Sequence, residues 1–108
     1  MRKTVAAAAA FFAFTGTAAA SNYTQARAAI YAVFGSYAAQ AMRVAYCETG
    51  GTYSTYAQNG QYLGIFQMGS WERRTYGHGS THLAQAQAAY RYFRASGYRW
   101  GPWECKPW

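Results

Sequence analysis

Apolar side chains recur at helical spacing in three stretches of the chain. Ala26, Ile30 and Val33 share one face between Tyr23 and Phe34 and predict a first amphipathic helix, which Phe34-Gly35-Ser36 ends. Ser36 is expected as the N-cap of a second helix, in which Ala38, Ala41, Met42, Ala45 and Tyr46 fall at i, i+3, i+4, i+7 and i+8, carrying it to about Cys47. Leu83, Ala86, Tyr90 and Phe93 mark the buried stripe of a last helix that Gly97 stops, with Gln87, Arg91 and Arg94 on another face. Between the second and last helices the pattern changes. The stretch GGTYSTYAQNGQYLGIFQMG, with its Asn-Gly pair and scattered aromatic and β-branched residues, predicts turns and short strands in a small hairpin or irregular loop. Ser70 is expected to cap a short helix, SWERRTY, ending at Gly77. The expected fold class is α+β and predominantly α, with a short β-like insertion.

Ahead of these elements stands MRKT and then VAAAAAFFAFTGTAAA, in which Ala18 and Ala20 supply an A-x-A cleavage pair. Residues 1–20 therefore read as a secretory signal peptide and residues 21–108 as one domain. Thr15, Gly16 and Thr17 interrupt the apolar run, which argues against a membrane anchor. In an exported domain so small the two cysteines, Cys47 and Cys105, are most simply a disulfide, contributing about 4 kcal/mol in the chain-entropy model. The formal charge is +7, and +5 once Arg2 and Lys3 leave with the signal. A cationic secreted domain is drawn to polyanions, and charge alone does not choose among wall polymers, anionic membranes and nucleic acid.

The carboxylates restrict the chemistry most. Glu48, Glu72 and Glu104 are the only acidic side chains and there is no aspartate, so calcium sites, two-metal centres and Ser-His-Asp triads lack parts. No G-x-S-x-G, H-E-x-x-H, P-loop or dinucleotide fingerprint occurs. Glu72 falls where a helix dipole favours negative charge and Glu104 in a polar tail, so both read as structural or solvated. Glu48 differs. It falls at a helix C-terminus, where the dipole opposes its charge and nearby aromatics would desolvate it, and both effects raise a carboxyl pKa. A carboxyl that keeps its proton near neutral pH is a general acid, and protonation of a glycosidic oxygen is the reaction that most naturally uses a single one. Ordinary glycosidases add a second carboxylate about 5 to 9.5 Å away, and the insertion expected to face Glu48 has none. Positive charge developing on the sugar would then be met by the substrate's own N-acetyl group or by dipoles such as Gln67, Asn59 and Tyr62.

The stretch RVAYCETGGTY, with NGQYLGIFQMGSW after it, resembles the core of the lysozyme-like superfamily, in particular the soluble lytic transglycosylases and the resuscitation-promoting-factor domains. The family's C-E-S-G-G segment, which presents its catalytic glutamate, is similar to Cys47-Glu48-Thr49-Gly50-Gly51, with threonine for serine. Asn59-Gly60, Tyr62 and Gly64-Ile65-Phe66-Gln67 resemble elements that lie across the family's cleft, and Trp100-Gly101-Pro102-Trp103 with Cys105 resembles its closing segment. The resemblance spans about residues 40–106 and implies a Cys47–Cys105 bridge. It also implies cleavage of the β-1,4 bond between N-acetylmuramic acid and N-acetylglucosamine in peptidoglycan, with Glu48 as acid and then base. Thr49, Asn59, Tyr62 and Gln67 are the expected substrate contacts. Tyr62 stands where animal-type lysozymes carry a second acid, which favours a 1,6-anhydro product over hydrolysis.

Other readings remain open. His78 and His82 are four apart, but zinc lacks a C-x2-C pair, and a cysteine peptidase needs a free thiol. A non-catalytic, cationic wall binder is the strongest rival, and a membrane-active protein is disfavoured by mixed helix faces. Trp100 and Trp103 are expected to anchor the tail in the core. The expectation is thus a secreted monomer acting on peptidoglycan strands, with no cofactor, metal, nucleic-acid partner or stable membrane insertion.

Overall fold

A computed structural model describes residues 20–108, so the signal-peptide reading of residues 1–20 falls almost wholly outside the described residues. Helix α1 (Asn22–Phe34) opens at Ser21, whose hydroxyl accepts the Thr24 N–H at 3.1 Å. Gly35, at φ 56°, turns the chain into a 3-10 turn, Gly35–Tyr37, and α2 (Ala38–Glu48) follows at once. Ser36 is therefore not an N-cap. It sits inside the turn, and α2 begins after Tyr37 with no side-chain cap. Aromatic packing sets this junction: the Tyr37 ring meets Phe93 at 5.0 Å and stacks on Tyr98 at 5.7 Å.

Strands β1 (Gln58–Asn59) and β2 (Tyr62–Leu63) form a two-stranded antiparallel hairpin that pairs Gln58 with Leu63 and Asn59 with Tyr62. Helix α3 (Ser70–Tyr76) starts after Gly69, and α4 (His82–Ala95) after Thr81, whose hydroxyl accepts the Ala84 N–H. Ser70 is the first residue of α3 rather than its cap. Its N–H and hydroxyl both donate to Gln61 Oε1, which ties the helix start to the hairpin turn. The result is an α-rich domain with one small hairpin, in which α1 packs on α2 and α4 while α3 packs on α4. Among the described residues no helix is long and apolar enough to cross a membrane.

Phe34, Phe66, Phe93, Trp100 and Trp103 form the centre of the core, with the Phe93 and Trp100 rings 4.3 Å apart. Both tryptophans are buried as expected, and each indole N–H has a partner: Trp100 donates to Gln40 Oε1 and Trp103 to the Phe66 carbonyl. Two positions depart from the apolar pattern. Leu83 is 46% exposed and Tyr46 58% exposed, whereas His82 and Gln85 are buried. In α4 the reason is backbone satisfaction. The segments flanking the hairpin and the one before α4 carry polar groups that need partners once covered. Gln85 accepts the Ile65 N–H at 2.9 Å and donates to the carbonyls of Thr55 and Gly79, while His82 Nε2 lies 2.9 Å from the Tyr53 carbonyl. These bonds rotate α4 so that Leu83 faces out. Gly64, at φ 88°, leaves the room for Gln85, since a Cβ there would lie 2.4 Å from Gln85 Oε1.

Gln85→Ala should cost about 2 to 3 kcal/mol, because it strands two buried backbone groups, the Ile65 N–H and the Thr55 carbonyl, and a part-buried one, the Gly79 carbonyl. Thermal unfolding measures the loss, and hydrogen exchange at Ile65 should accelerate more than exchange in α1.

Candidate active site

Glu48 is the last residue of α2. The helix stops there because Gly50 and Gly51 take φ of 61° and 88°, and the Gly51 N–H closes the end by donating to the Tyr46 carbonyl at 2.7 Å. Thr49 secures the same end: its hydroxyl donates to the Ala45 carbonyl at 2.8 Å and accepts the Tyr53 N–H at 2.9 Å. The Thr49 hydroxyl thus holds the loop, while the residue borders the depression beside Glu48.

The tail supplies the opposite wall. Cys47 and Cys105, 58 positions apart in the chain, are joined by a disulfide with their Cα atoms 6.0 Å apart, and no described cysteine is free. A thiol nucleophile is thereby excluded. The bridge lays Cys105 beside Glu48, and the Cys105 N–H donates to Glu48 Oε2 at 3.0 Å. Several influences then compete over the Glu48 proton. Burial raises its pKa most, and the nearby Glu104 charge raises it further. The N–H groups of Cys105 and Glu104 and the Lys106 charge lower it, and the net result stays above the ordinary value of 4.5.

Glu48 lines a cleft of about 440 Å³ together with Asn59, Tyr62, Gln67 and Trp103. A second depression of about 400 Å³ continues past Thr52, Ser54 and Tyr56, and Glu48, Asn59 and Gln67 border both. Glu48 therefore stands at the junction of two adjoining parts of a groove. Asn59 and Tyr62 reach it as a directly paired couple on the hairpin. Gln67 is held in the left-handed region at φ 48°, a costly conformation for a side chain with a Cβ. Its amide nitrogen donates to the carbonyls of Ala57 and Gly64, both at 2.9 Å, which fixes the amide orientation and leaves the side-chain oxygen as its remaining polar atom. The structure thus brings Glu48, Asn59, Tyr62 and Gln67 to one site.

It also brings there what sequence reasoning assigned elsewhere. Glu72 and Glu104 line the same cleft, so all three carboxylate side chains of the chain border it and no lysine or arginine does. Glu72 sits in the first turn of α3, as the dipole argument expects, yet it faces the cleft, and the Tyr92 hydroxyl donates to its Oε2 at 3.5 Å. Tyr92 itself was not singled out. Its place in helix α4, one residue before buried Phe93, was a signal that it borders the core, but not which wall it completes. Among the described residues no group of three or more His, Cys, Asp or Glu is placed to hold a metal, and His82 is committed to the Tyr53 carbonyl.

No model of a known family, no curated protein and no solved structure matches this chain.

The sign of the Glu48 shift sets a pH dependence. Between 4.5 and its higher folded pKa the native state holds more protons than the unfolded chain, so this group's contribution to stability falls as pH rises through that window. Glu48→Gln, which keeps an acceptor for the Cys105 N–H, should melt a few degrees above the wild type at pH 7, and the difference should vanish below pH 4.5 in calorimetry. Replacing both Cys47 and Cys105 by alanine should cost about 4 kcal/mol in denaturant unfolding.

Proposed function

We propose that this protein is a lysozyme-like glycosidase that cleaves the β-1,4 bond between N-acetylmuramic acid and N-acetylglucosamine in peptidoglycan. The observation that carries this reading is one carboxyl, its pKa raised by burial, at the junction of two adjoining parts of a groove. A linear polymer cut internally needs sites on both sides of the scissile bond, and an acid at the junction reaches the bridging oxygen.

In the proposed reaction Glu48 donates its proton to the leaving oxygen as the glycosidic bond breaks. The substrate's acetamido group, with dipoles such as the Gln67 side-chain oxygen, steadies the oxocarbenium-like centre. The Glu48 carboxylate then removes the proton from the sugar's own 6-hydroxyl, which closes onto C1 and gives a 1,6-anhydro end. The Cys105 N–H serves both halves, since it stabilises the carboxylate formed in the first without preventing its reprotonation in the second. Because no cation lines the cleft, the lactyl and peptide carboxylates of the substrate point out of it.

The position of Glu72 favours a second reading. A further carboxylate on the cleft gives a water molecule a base or the glycosyl cation a counter-charge, as in a hydrolytic lysozyme. A wall-binding protein without turnover would use the same groove and leave Glu48 idle.

Mass spectrometry of purified peptidoglycan digested by the oxidised protein separates the three. Anhydro-muropeptides are expected, and Glu48→Gln should lower their yield by about 10² to 10⁴. Reducing-end products that disappear in Glu72→Gln would establish the hydrolytic reading, and no soluble product from the folded protein would overturn both enzymatic ones.

A further inference from the structure

A third concavity, of about 490 Å³, lies between α1 and α2 and shares no residue with the cleft. Tyr23, Arg27 and Tyr31 contribute from α1 at i, i+4 and i+8, which places them in one row about 12 Å long. Met42, Arg43 and Tyr46 contribute from α2, and Tyr53 forms the floor. Tyr23 is 53% exposed, Tyr31 44% and Tyr46 58%, so three exposed rings share one groove. They are also held in place. Tyr23 meets the Tyr53 ring edge-on at 5.7 Å and Tyr46 meets it at 6.0 Å, while the Tyr53 hydroxyl donates to the Met42 carbonyl at 3.0 Å. Tyr46 also packs on Gly51, where an added Cβ would lie 3.1 Å from the ring. Arg27 sits over the Tyr31 ring at 4.5 Å, and Arg43, which also lines the groove, donates its Nε to the Pro107 carbonyl at 2.7 Å.

We propose that this groove is a second binding site for a carboxylate-bearing glycan strand, held without being cut. The choice of polymer rests on the function proposed above. Flat, exposed, pre-ordered tyrosines fit pyranose faces, and their hydroxyls meet sugar hydroxyls, at little further cost in conformational entropy. Two guanidiniums and no carboxylate line the groove, whereas every carboxylate side chain of the protein borders the cleft. The protein therefore separates charge: an acidic cleft takes the neutral sugar backbone at the point of cutting, and a basic aromatic groove meets the acidic lactyl groups elsewhere on the strand. A single-stranded nucleic acid carries one phosphate per nucleotide and is tracked by a continuous run of cations. Two guanidiniums match a strand with one carboxylate per disaccharide better.

The test titrates peptide-free strands of alternating N-acetylglucosamine and N-acetylmuramic acid into oxidised protein carrying Glu48→Gln, observed by amide NMR. Tyr23, Arg27, Tyr31 and Tyr46 should shift with an affinity of their own. Methyl esterification of the lactyl carboxylates should weaken that affinity about five- to tenfold, and Arg27→Gln with Arg43→Gln should do the same while the circular dichroism melt is retained. Shifts confined to cleft residues such as Asn59 and Gln67 would overturn the proposal. So would equal affinity for esterified strands, or displacement of the strands by an oligothymidylate or by anionic vesicles at lower concentration. If wild-type protein leaves peptidoglycan uncut while the groove residues still shift, the cleavage reading fails and the groove stands.

Discussion

The structure depends on one crosslink and the hydrogen bond it makes possible. Cys47 precedes Glu48 at the end of α2, and its bridge to Cys105 brings the tail back across the helix end, where the Cys105 N–H meets the Glu48 carboxylate. The tail needs this tether because it has no secondary structure of its own after α4. Its other attachments include Trp100 and Trp103, whose rings fill the core while their indole N–H groups reach Gln40 and Phe66, and the Pro107 carbonyl, which accepts from Arg43 Nε. The bridge therefore stabilises a small core and completes the wall of a cleft. It also sets the balance on Glu48, since the same approach that buries the carboxyl supplies the N–H that tempers the effect of burial.

The loop from Gly50 to Gly69 is organised differently. It contributes Tyr53, Ile65, Phe66 and Met68 to the core, and beside its own backbone bonds, such as the reciprocal pair between Leu63 and Met68, it is held by polar side chains reaching in from its surroundings. Gln85 and His82 come from α4, Thr49 from the end of α2, and Arg73 from α3 donates to the Gln61 and Met68 carbonyls. Gln67 does the same from within the loop. The short ladder and turns satisfy only part of this segment's backbone, so side chains complete what a longer sheet would otherwise supply. This arrangement presents Asn59, Tyr62 and Gln67 on a fixed wall opposite Glu48, a requirement of any site that orients a substrate.

Charge is distributed unevenly for a physical reason. The protein is cationic overall, yet its three carboxylate side chains gather around one cleft, while Arg27 and Arg43 with four tyrosines line a groove elsewhere. Burial favours the protonated form of Glu48 most, and the Glu104 charge adds to it against the opposing charge of Lys106.

The helices were legible from periodicity because Ala26, Ile30, Ala38, Ala41, Ala86 and Phe93 bury one face each, and the position of Glu48 at a helix end followed from the glycines after it. The candidate site was legible as a list of residue types around a lone acid. Three things were not. Leu83 faces solvent because Gln85 and His82 turn the helix to serve a distant loop, and hydrogen bonds across twenty or more positions leave no trace in local spacing. Ser36 fails as a cap because Tyr37 packs on Phe93 and Tyr98, which only the closed core brings near. Glu72 enters the cleft because α3 packs on α4 and sets it beside Tyr92, although its dipole role was plain from position alone. By itself the sequence determined which segments are helical, which cysteines were available to pair and which carboxyl stands at a helix end, since these depend on neighbours within a few residues. Tertiary structure alone decided which side chains share a cavity, because that depends on how the helices are rotated and where the bridge seats the tail.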